Sequence, residues 1–248
     1  MKKEEIIIDI KMLVKKYKDF LALDNLNLQI NKGEIFGFLG HNGAGKTTTV
    51  NILTSLLPPT SGSAAICGFD ISKDSIEVRK RIGYLPENVK FYENLTAYEN
   101  LEYLAQLSGI KNTDKNIKDT LEFIDFKGFE NKKVGEFSKG MKQRIGIAQA
   151  IIHEPEVLFL DEPTSGLDPM GIKKLREVIL KINKEKGITI FLNTHLLSEV
   201  SKVCSTIGVL SHGMLIYKDS IENTLKKFKD EVSLEEIYFN IDSEKRMK

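Results

Sequence analysis

Two segments near the N-terminus, residues 6–14 and 26–30, alternate apolar and polar positions with a period of two. Successive side chains of a β-strand point to opposite faces, so this period predicts strands with one buried and one solvated face. The apolar positions are Ile6, Ile8, Ile10, Met12, Val14, Leu26, Leu28 and Ile30. The chain is therefore expected to open with two half-buried strands.

Three later segments are continuously apolar rather than alternating. They cover residues 35–39, 157–160 and 188–192. Short unbroken runs of this kind are typical of strands that a parallel sheet buries on both faces. Helical patterns separate the runs, so the alternation of strand and helix predicts an α/β fold.

A long helical stretch interrupts this alternation between about residues 88 and 152. Thr96 and Glu99 have the spacing of a capping box, and apolar residues then recur on one helical stripe until Gly109. A second helical pattern covers about residues 112–126, and strand signals are nearly absent throughout. We therefore predict a helical insertion in the α/β core, and further helices near residues 220–228 and 233–241 of a charged tail.

Composition narrows the possible classes of function. The 248 residues carry 36 Lys and Arg against 35 Asp and Glu, a formal net charge of +1. This balance disfavours a dominant electrostatic attraction to nucleic acid or to anionic lipid. No segment approaches the ~18 consecutive apolar residues of a membrane span, and the N-terminus has no signal-peptide core. Cys67 and Cys204 form no metal-binding pair and are expected to be core residues.

A glycine-rich segment directly follows the first buried run. Residues 40–48 read Gly-His-Asn-Gly-Ala-Gly-Lys-Thr-Thr and satisfy G-x-x-x-x-G-K-S/T, between a predicted strand and a predicted helix. Glycine lets backbone N–H groups converge on phosphate oxygens, and the helix N-terminus favours negative charge. Lys46 is placed to meet β- and γ-phosphates, Thr47 to offer a hydroxyl to Mg²⁺, and Thr48 to bind a phosphate oxygen.

Two acids end the second buried run, at Asp161 and Glu162. Ligands of open α/β sheets bind at the carboxyl ends of the strands, so Asp161 is predicted to reach Mg²⁺ and Glu162 the attacking water. Surface acids in a turn after a strand are the alternative interpretation of the same pattern. The phosphate loop upstream favours the interpretation of Asp161 and Glu162 as functional residues.

The remaining motifs carry a resemblance to a known family. Residues 137–144, Phe-Ser-Lys-Gly-Met-Lys-Gln-Arg, are similar to the signature LSGGQ-x-Q-R, residues 165–169 match a D-loop, and His195 ends the next buried run. In motif order and spacing, from about residue 6 to residue 217, the chain resembles the ATP-binding cassette (ABC) ATPase of a transporter. Its Leu196–Val200 segment and residues 233–237 resemble cassettes of drug, antibiotic or lipid exporters.

The resemblance implies a fold and a domain organisation. It implies an α/β fold with a P-loop NTPase core, a parallel central sheet and an N-terminal antiparallel β subdomain. The inserted α-helical subdomain would cover about residues 88–152. The ATPase domain would span residues 1–217, followed by a short helical tail over residues 218–248.

The resemblance also implies ATP and Mg²⁺ as ligands. It assigns Lys46, Glu162 and His195 to catalysis, and Thr47, Asp161 and Glu87 to the metal. Glu87 stands where the family has a glutamine, and a carboxylate still ligates a hard cation. The residues expected to hold ATP are Tyr17, Gly40, Asn42, Gly43, Ala44, Gly45, Lys46, Thr47, Thr48, Glu87, Ser138, Gly140 and Asp168.

Two of these assignments rest on the resemblance more than on the residues themselves. Tyr17 matches the aromatic residue that stacks on adenine, although residue type alone does not distinguish it from Phe20. The signature has Phe137, Lys139 and Met141 in place of Leu, Gly and Gln, but it keeps Ser138 and Gly140. Ser138 is also a plausible helix N-cap with no further role.

The family divides each ATP site between two chains, so the resemblance implies a second copy or a homologous cassette as partner. It also implies a separate transmembrane permease and a location on the cytoplasmic face of the membrane; no nucleic-acid partner is expected. A soluble ABC protein acting on ribosomes or DNA is the first alternative, although such relatives usually carry two cassettes or long coiled-coil arms. A small P-loop kinase is the second, and it would need neither a signature segment nor His195.

Overall fold

The computed structural model describes residues 5–228 and 236–238. The strands are β1 (Ile6–Tyr17), β2 (Phe20–Asn31), β3 (Ile35–Leu39), β4 (Ser61–Ile66), β5 (Phe69–Asp70), β6 (Ile82–Leu85), β7 (Val157–Asp161), β8 (Thr189–Asn193), β9 (Thr206–Ser211) and β10 (Met214–Ser220). The α-helices are α1 (Lys46–Leu53), α2 (Ser75–Arg81), α3 (Ala97–Leu107), α4 (Thr113–Phe123), α5 (Lys139–Ile151), α6 (Pro169–Lys186), α7 (Leu197–Val203) and α8 (Ile221–Lys227). A short 3₁₀ turn covers Val134–Glu136.

A six-stranded sheet in the order β10-β9-β3-β8-β7-β6 forms the centre of the fold. All neighbouring strands in it are parallel except β9 and β10, which form an antiparallel hairpin. Every residue of β3, β7 and β8 is buried, which confirms the prediction from the three apolar runs. Since parallel strands end at one edge, the segments that follow these three strands meet there.

The second sheet is antiparallel, with the order β2-β1-β4-β5. The sequence pattern predicted β1 and β2 but not β4 or β5, which follow α1 in the chain. Residues 61–65 read Ser-Gly-Ser-Ala-Ala and offer no large apolar side chain, so their pairing with β1 carries no signal in the pattern. Apolar residues of this sheet share one core with Phe36, Phe38, Phe159 and Phe191 of the central sheet.

The chain between β6 and β7 is helical, as the weak strand signals there predicted. It contains α3, α4 and α5, and the described residues in it form no strand. The capping box at the start of α3 is confirmed, because the side chains of Thr96 and Glu99 bond each other's backbone N–H. The exact bounds of the helical subdomain, and the domain limit at residue 217, stay predictions.

Some details differ from the expected elements. The helix predicted after the glycine-rich segment is short: α1 ends at Leu53, and Leu56 beyond it is 62% exposed. Cys204 is buried as predicted, whereas Cys67 is only half-buried. Helix α8 agrees with the first predicted tail helix; of the second, residues 236–238 are helical and the rest lies outside the described residues.

None of the helices in the described ranges has both the length and the apolar composition to cross a membrane.

Candidate functional site

The phosphate loop connects β3 to α1 and has a backbone that requires glycine. Gly43 and Gly45 have φ angles of +83° and +108°, a region of backbone conformation that residues other than glycine rarely adopt. A Cβ on Gly45 would lie 2.5 Å from the carbonyl oxygen of Ala22 on β2. The loop is thus pressed against β2, and it leads directly into the N-terminus of α1.

Lys46 is fixed at the base of this loop. Its side chain is 7% exposed, and its Nζ donates hydrogen bonds to the carbonyl oxygens of Gly40 at 2.8 Å and His41 at 3.3 Å. Burial lowers the pKa of the Lys46 ammonium, while the carboxylates of Glu162 and Asp161 act in the opposite direction. The loop therefore holds a preoriented cation with two acids nearby.

Asp161 ends β7 and is only 4% exposed. Asn193, at the end of the neighbouring strand β8, donates from Nδ2 to Asp161 Oδ1 at 2.5 Å. Burial raises the pKa of Asp161; the hydrogen bond from Asn193 lowers it, and the nearby charges of Glu162 and Glu87 raise it. Asn193 Oδ1 is buried and has no hydrogen-bond partner among the described residues.

Glu162 has an unusual backbone conformation, with φ at +46°. Its N–H donates to the carbonyl oxygen of Asn193 at 2.8 Å, which holds the turn. Its Oε2 lies 2.8 Å from Nδ1 of His195 and accepts a hydrogen bond from Thr194 Oγ1 at 3.3 Å. A strained conformation of this kind persists only where the surrounding structure stabilises it, and it is frequent at functional sites.

These groups surround an open cavity of about 450 Å³. Most residues predicted to hold nucleotide or metal from a single chain line this cavity. Its lining residues are Phe20, Ala22, Asn42, Gly43, Gly45, Lys46, Thr47, Thr48, Glu87, Glu162 and His195. Gly40, Ala44 and Asp161 are buried and do not line the cavity, and neither does Tyr17.

Glu87 reaches the cavity from the segment after β6. The backbone carbonyl oxygen of Glu87 accepts a 3.5 Å hydrogen bond from Nε2 of Gln143 on α5. This contact joins the cavity wall to α5, the helix that Ser138 caps. Glu87 thus connects the cavity wall to the helical part of the chain.

Ser138, Gly140 and Asp168 do not join the first cavity. They line a second cavity of about 530 Å³, together with Lys139, Arg144 and Lys174 among others. Ser138 Oγ accepts a hydrogen bond from Met141 N at 3.3 Å, so the predicted N-cap of α5 is confirmed. Lys139 lies against Gly166, since a Cβ added to Gly166 would lie 2.6 Å from Lys139 Nζ. Within one chain, the two halves of the expected site are therefore separate.

The prediction from motifs did not assign Phe20, Ala22 or Asn193 to the site. Phe20 and Ala22 enter the cavity because β2 begins earlier than its apolar pattern suggested. Asn193 ends a buried strand next to Asp161, so strand order would have been needed to place it. One sequence signal could have indicated Asn193: each of the three buried runs is followed by a polar or glycine-rich segment.

Comparisons with known proteins identify relatives of this chain. A family model described as ABC transporter matches residues 23–165. The bacitracin transport ATP-binding protein BcrA of Bacillus licheniformis is 44% identical over 221 residues, which cover 89% of this chain and 72% of that protein. The protein of the same name from Enterococcus faecalis is 39% identical over 223 residues, which cover 90% of this chain and 72% of that protein.

Solved structures show the same fold. A Clostridium perfringens protein that is part of the transporter complex cbiONQ superposes with a TM-score of 0.81 at 27% identity, covering 92% of this chain and 96% of that one. An ATP-binding cassette in a dimeric post-hydrolysis state, with ADP and Pi bound, superposes with a TM-score of 0.77 at 28% identity, covering 87% and 99%.

Proposed function

The chain belongs to the ABC transporter family, as the match over residues 23–165 shows, and from that premise we propose how its residues act. It is an ATP-binding subunit that hydrolyses ATP. The two cavities suggest that hydrolysis is coupled to association of two such chains. Within the family the work would be transport, through a permease that is a separate polypeptide.

One observation carries this proposal: a single cavity collects Lys46 on the phosphate loop, Glu162 after β7 and His195 after β8. The triphosphate would lie along the loop, with backbone N–H groups and Lys46 as its donors. The γ-phosphate would then be on the side of Glu162. Glu162 would accept the proton of the attacking water, as a positioned general base does.

The contact between His195 and Glu162 has a consequence for this step. A neutral imidazole has one N–H donor. When that proton is on Nδ1 of His195, it is donated to Glu162 Oε2, which lies 2.8 Å away. A γ-phosphate oxygen also needs a donor, so it competes with Glu162 for His195. Binding of ATP would therefore release the Glu162 carboxylate toward water at the moment when His195 turns to the phosphate.

The residues present also suit Mg²⁺. Thr47 and Glu87 line the cavity, and the buried Asp161 directly precedes the lining residue Glu162. Together they offer a hydroxyl and two carboxylates, the oxygen donors that this hard cation prefers. When bound, the cation would neutralise charge on the phosphates. Asn193 would hold the Asp161 carboxylate in one orientation through its 2.5 Å hydrogen bond.

A second copy of the chain would complete each site. Ser138 and the N-terminus of α5 line the second cavity, whereas the phosphate loop of the same chain lines the first. A head-to-tail arrangement would bring the second cavity of each chain over the first cavity of the other. Lys139, Arg144 and Lys174 would add positive charge on the side that faces the phosphates.

The permease would contact the surface near residues 86–96 and the adjoining face of α3. Tyr92 and Tyr103 form an exposed edge-to-face pair there, with ring centroids 5.5 Å apart. The chain would thus work at the cytoplasmic face of the membrane, held by that partner. By likeness to BcrA, whose name refers to bacitracin transport, we propose export of an antibiotic, drug or lipid.

The alternative, a soluble ABC ATPase acting on ribosomes or nucleic acid, makes a different prediction. On the transporter proposal, the purified chain should hydrolyse ATP at a rate that RNA or duplex DNA leaves unchanged at physiological salt, and that a co-purified permease stimulates. Stimulation by nucleic acid would favour the alternative. Absence of any hydrolysis that depends on Lys46 would contradict both.

A further inference from the structure

His41 and His212 form a pair of imidazoles beside the phosphate loop. His41 is the second residue of that loop, and His212 lies in the turn between β9 and β10. Their ring centres are 5.0 Å apart, and the ring planes make an angle of 57°. Neither residue lines the first or the second cavity, so the proposed nucleotide site makes no use of the pair.

Backbone hydrogen bonds hold the turn of His212 against the phosphate loop. Gly213 N–H donates to the carbonyl oxygen of Ala44 in the loop at 2.9 Å, and the carbonyl oxygen of Gly213 accepts from Asp24 N–H at 3.0 Å. His212 has a φ of +47° and Gly213 one of +79°, the signs that a type I′ turn requires. Asparagine, aspartate and glycine are the usual residues at the first position of such a turn, so the turn itself does not require an imidazole there.

His41 has a buried ring nitrogen that offers a lone pair. Its Nδ1 lies 2.9 Å from the carbonyl oxygen of Asn42. A carbonyl oxygen only accepts, so Nδ1 carries a proton, and the lone pair of the neutral imidazole is on Nε2. Nε2 is buried and has no hydrogen-bond partner among the described residues. An imidazole that donates one N–H to a backbone carbonyl and keeps a lone pair on the other nitrogen has the arrangement typical of metal-binding histidines.

The spacing of the two rings fits one shared metal ion. Zinc binds a histidine nitrogen at about 2.0–2.1 Å, which places the ion about 3.2 Å from the ring centre, and tetrahedral coordination then separates two such centres by about 5.2 Å. The observed separation is 5.0 Å. Within the described part of the chain, no third His, Cys, Asp or Glu joins the pair, so water would take the remaining positions around the ion.

We infer that His41 and His212 form a binding site for a divalent transition-metal ion such as Zn²⁺. Imidazole nitrogens suit zinc, copper and nickel, whereas Mg²⁺ prefers oxygen ligands, so this site is distinct from the proposed magnesium position. A bound ion would tie the phosphate loop to the β9–β10 turn through side chains, next to the backbone bond between Gly213 and Ala44. The inference does not depend on nucleotide binding.

Calorimetry with Zn²⁺ tests the site on the full chain, without nucleotide and with excess Mg²⁺. The wild-type chain should bind zinc. His41→Asn and His212→Asn should each weaken binding about ten-fold or more, because loss of a ligand costs at least as much as loss of a group that orients one. The asparagine amide can still donate to the Asn42 carbonyl in the first variant, and asparagine tolerates a left-handed φ in the second. His153→Gln is the matched control and should stay within about two-fold of wild type.

Three results would overturn the inference: a wild-type chain that does not bind zinc, an unchanged affinity in either asparagine variant, or a loss in His195→Gln with both asparagine variants unaffected. The last would place the ion in the first cavity. Cu²⁺ provides a second measurement, since pulsed electron paramagnetic resonance detects coordinated imidazoles. It should find two imidazoles on the ion in the wild-type chain and one in each asparagine variant. A single imidazole in the wild-type chain would contradict a shared ion. These measurements need no ATP, so they are independent of whether the proposed function holds.

Discussion

At the scale of single residues, Glu162 shows how the chain holds an acidic side chain at the cavity. A left-handed φ in a residue other than glycine costs about 1–3 kcal/mol. Here the N–H of Glu162 donates to Asn193, and its carboxylate contacts Thr194 and His195. The strain is thus offset by contacts with the end of β8, which places the carboxylate at the cavity rather than in solvent.

Replacing Glu162 by glutamine tests its role as a base. The amide keeps the shape and can still bond His195 and Thr194, but it does not accept a proton from water. We expect turnover to fall by about 10²–10⁴-fold while ATP affinity stays within a few-fold of wild type. Steady-state phosphate release and calorimetry measure the two quantities. A variant with near wild-type turnover would rule out Glu162 as the base.

Lys46→Ala tests the cation of the loop. The substitution removes the one ammonium that the loop carbonyls orient and leaves Gly43 and Gly45 to form the turn. ATP binding should be lost in calorimetry, because the β- and γ-phosphates lose their fixed positive partner. Lys111→Ala, an exposed lysine outside the cavity, is the control. Affinity within a few-fold of wild type in Lys46→Ala would refute the assignment.

At the scale of the elements, sequence patterns predicted those helices and strands whose formation depends on neighbouring residues in the chain. The capping box fixed the start of α3, and three apolar runs fixed β3, β7 and β8. Strands β4 and β5 were missed because small residues form most of β4 and its pairing with β1 is a long-range contact. The same limit applies to the site: motifs found the loop and the acids, whereas Phe20 depends on how the β1–β2 hairpin meets the loop.

His153 links α5 to β6, and its titration gives a prediction about stability. Burial lowers the pKa of the His153 imidazole below its usual value, and a 2.9 Å hydrogen bond to the carbonyl oxygen of Ile82 acts in the opposite direction. The unfolded chain therefore binds a proton at higher pH than the folded chain does. The contribution of the neutral His153 imidazole to the free energy of unfolding is fully present above the ordinary histidine pKa. It is lost as the pH falls toward the lower pKa of the folded chain.

The free energy of unfolding should thus decrease between about pH 7.5 and pH 5.5 in urea titrations, a window around the ordinary histidine pKa. His153→Gln, whose amide can still donate to Ile82, should flatten this decrease. His212→Gln, at an exposed turn position, should not. An unchanged pH dependence in His153→Gln would mean that other groups cause the decrease.

At the scale of the whole molecule, the separation of the two cavities is the main result. The phosphate loop and the N-terminus of α5 line different cavities of one chain. The sequence could indicate both halves but not their separation, because each motif is local and their relative position depends on the packing of α5 beside β6 and α6. On the proposed function, each site would be completed by a second chain.

Ser138→Arg tests the second half of the site. A bulky cation at the N-cap of α5 would block the face on which a partner's γ-phosphate docks, so hydrolysis should stop while the isolated chain still binds ATP. Ser108→Arg, at the exposed end of α3, is the matched control. Mixed with Lys46→Ala, the Ser138→Arg chain should regain activity, because one site of the mixed pair carries both defects and the other carries none. Normal hydrolysis by Ser138→Arg alone would exclude the second cavity from the site.

The association state of Glu162→Gln tests the central claim most directly. With ATP and Mg²⁺ this variant cannot leave the ATP-bound state, so size-exclusion chromatography with light scattering should show a dimer. The dimer should be absent without nucleotide and absent when Lys46→Ala is added to the same chain. A Glu162→Gln chain that binds ATP, as calorimetry would report, yet remains a monomer would contradict the account of a site shared between two chains.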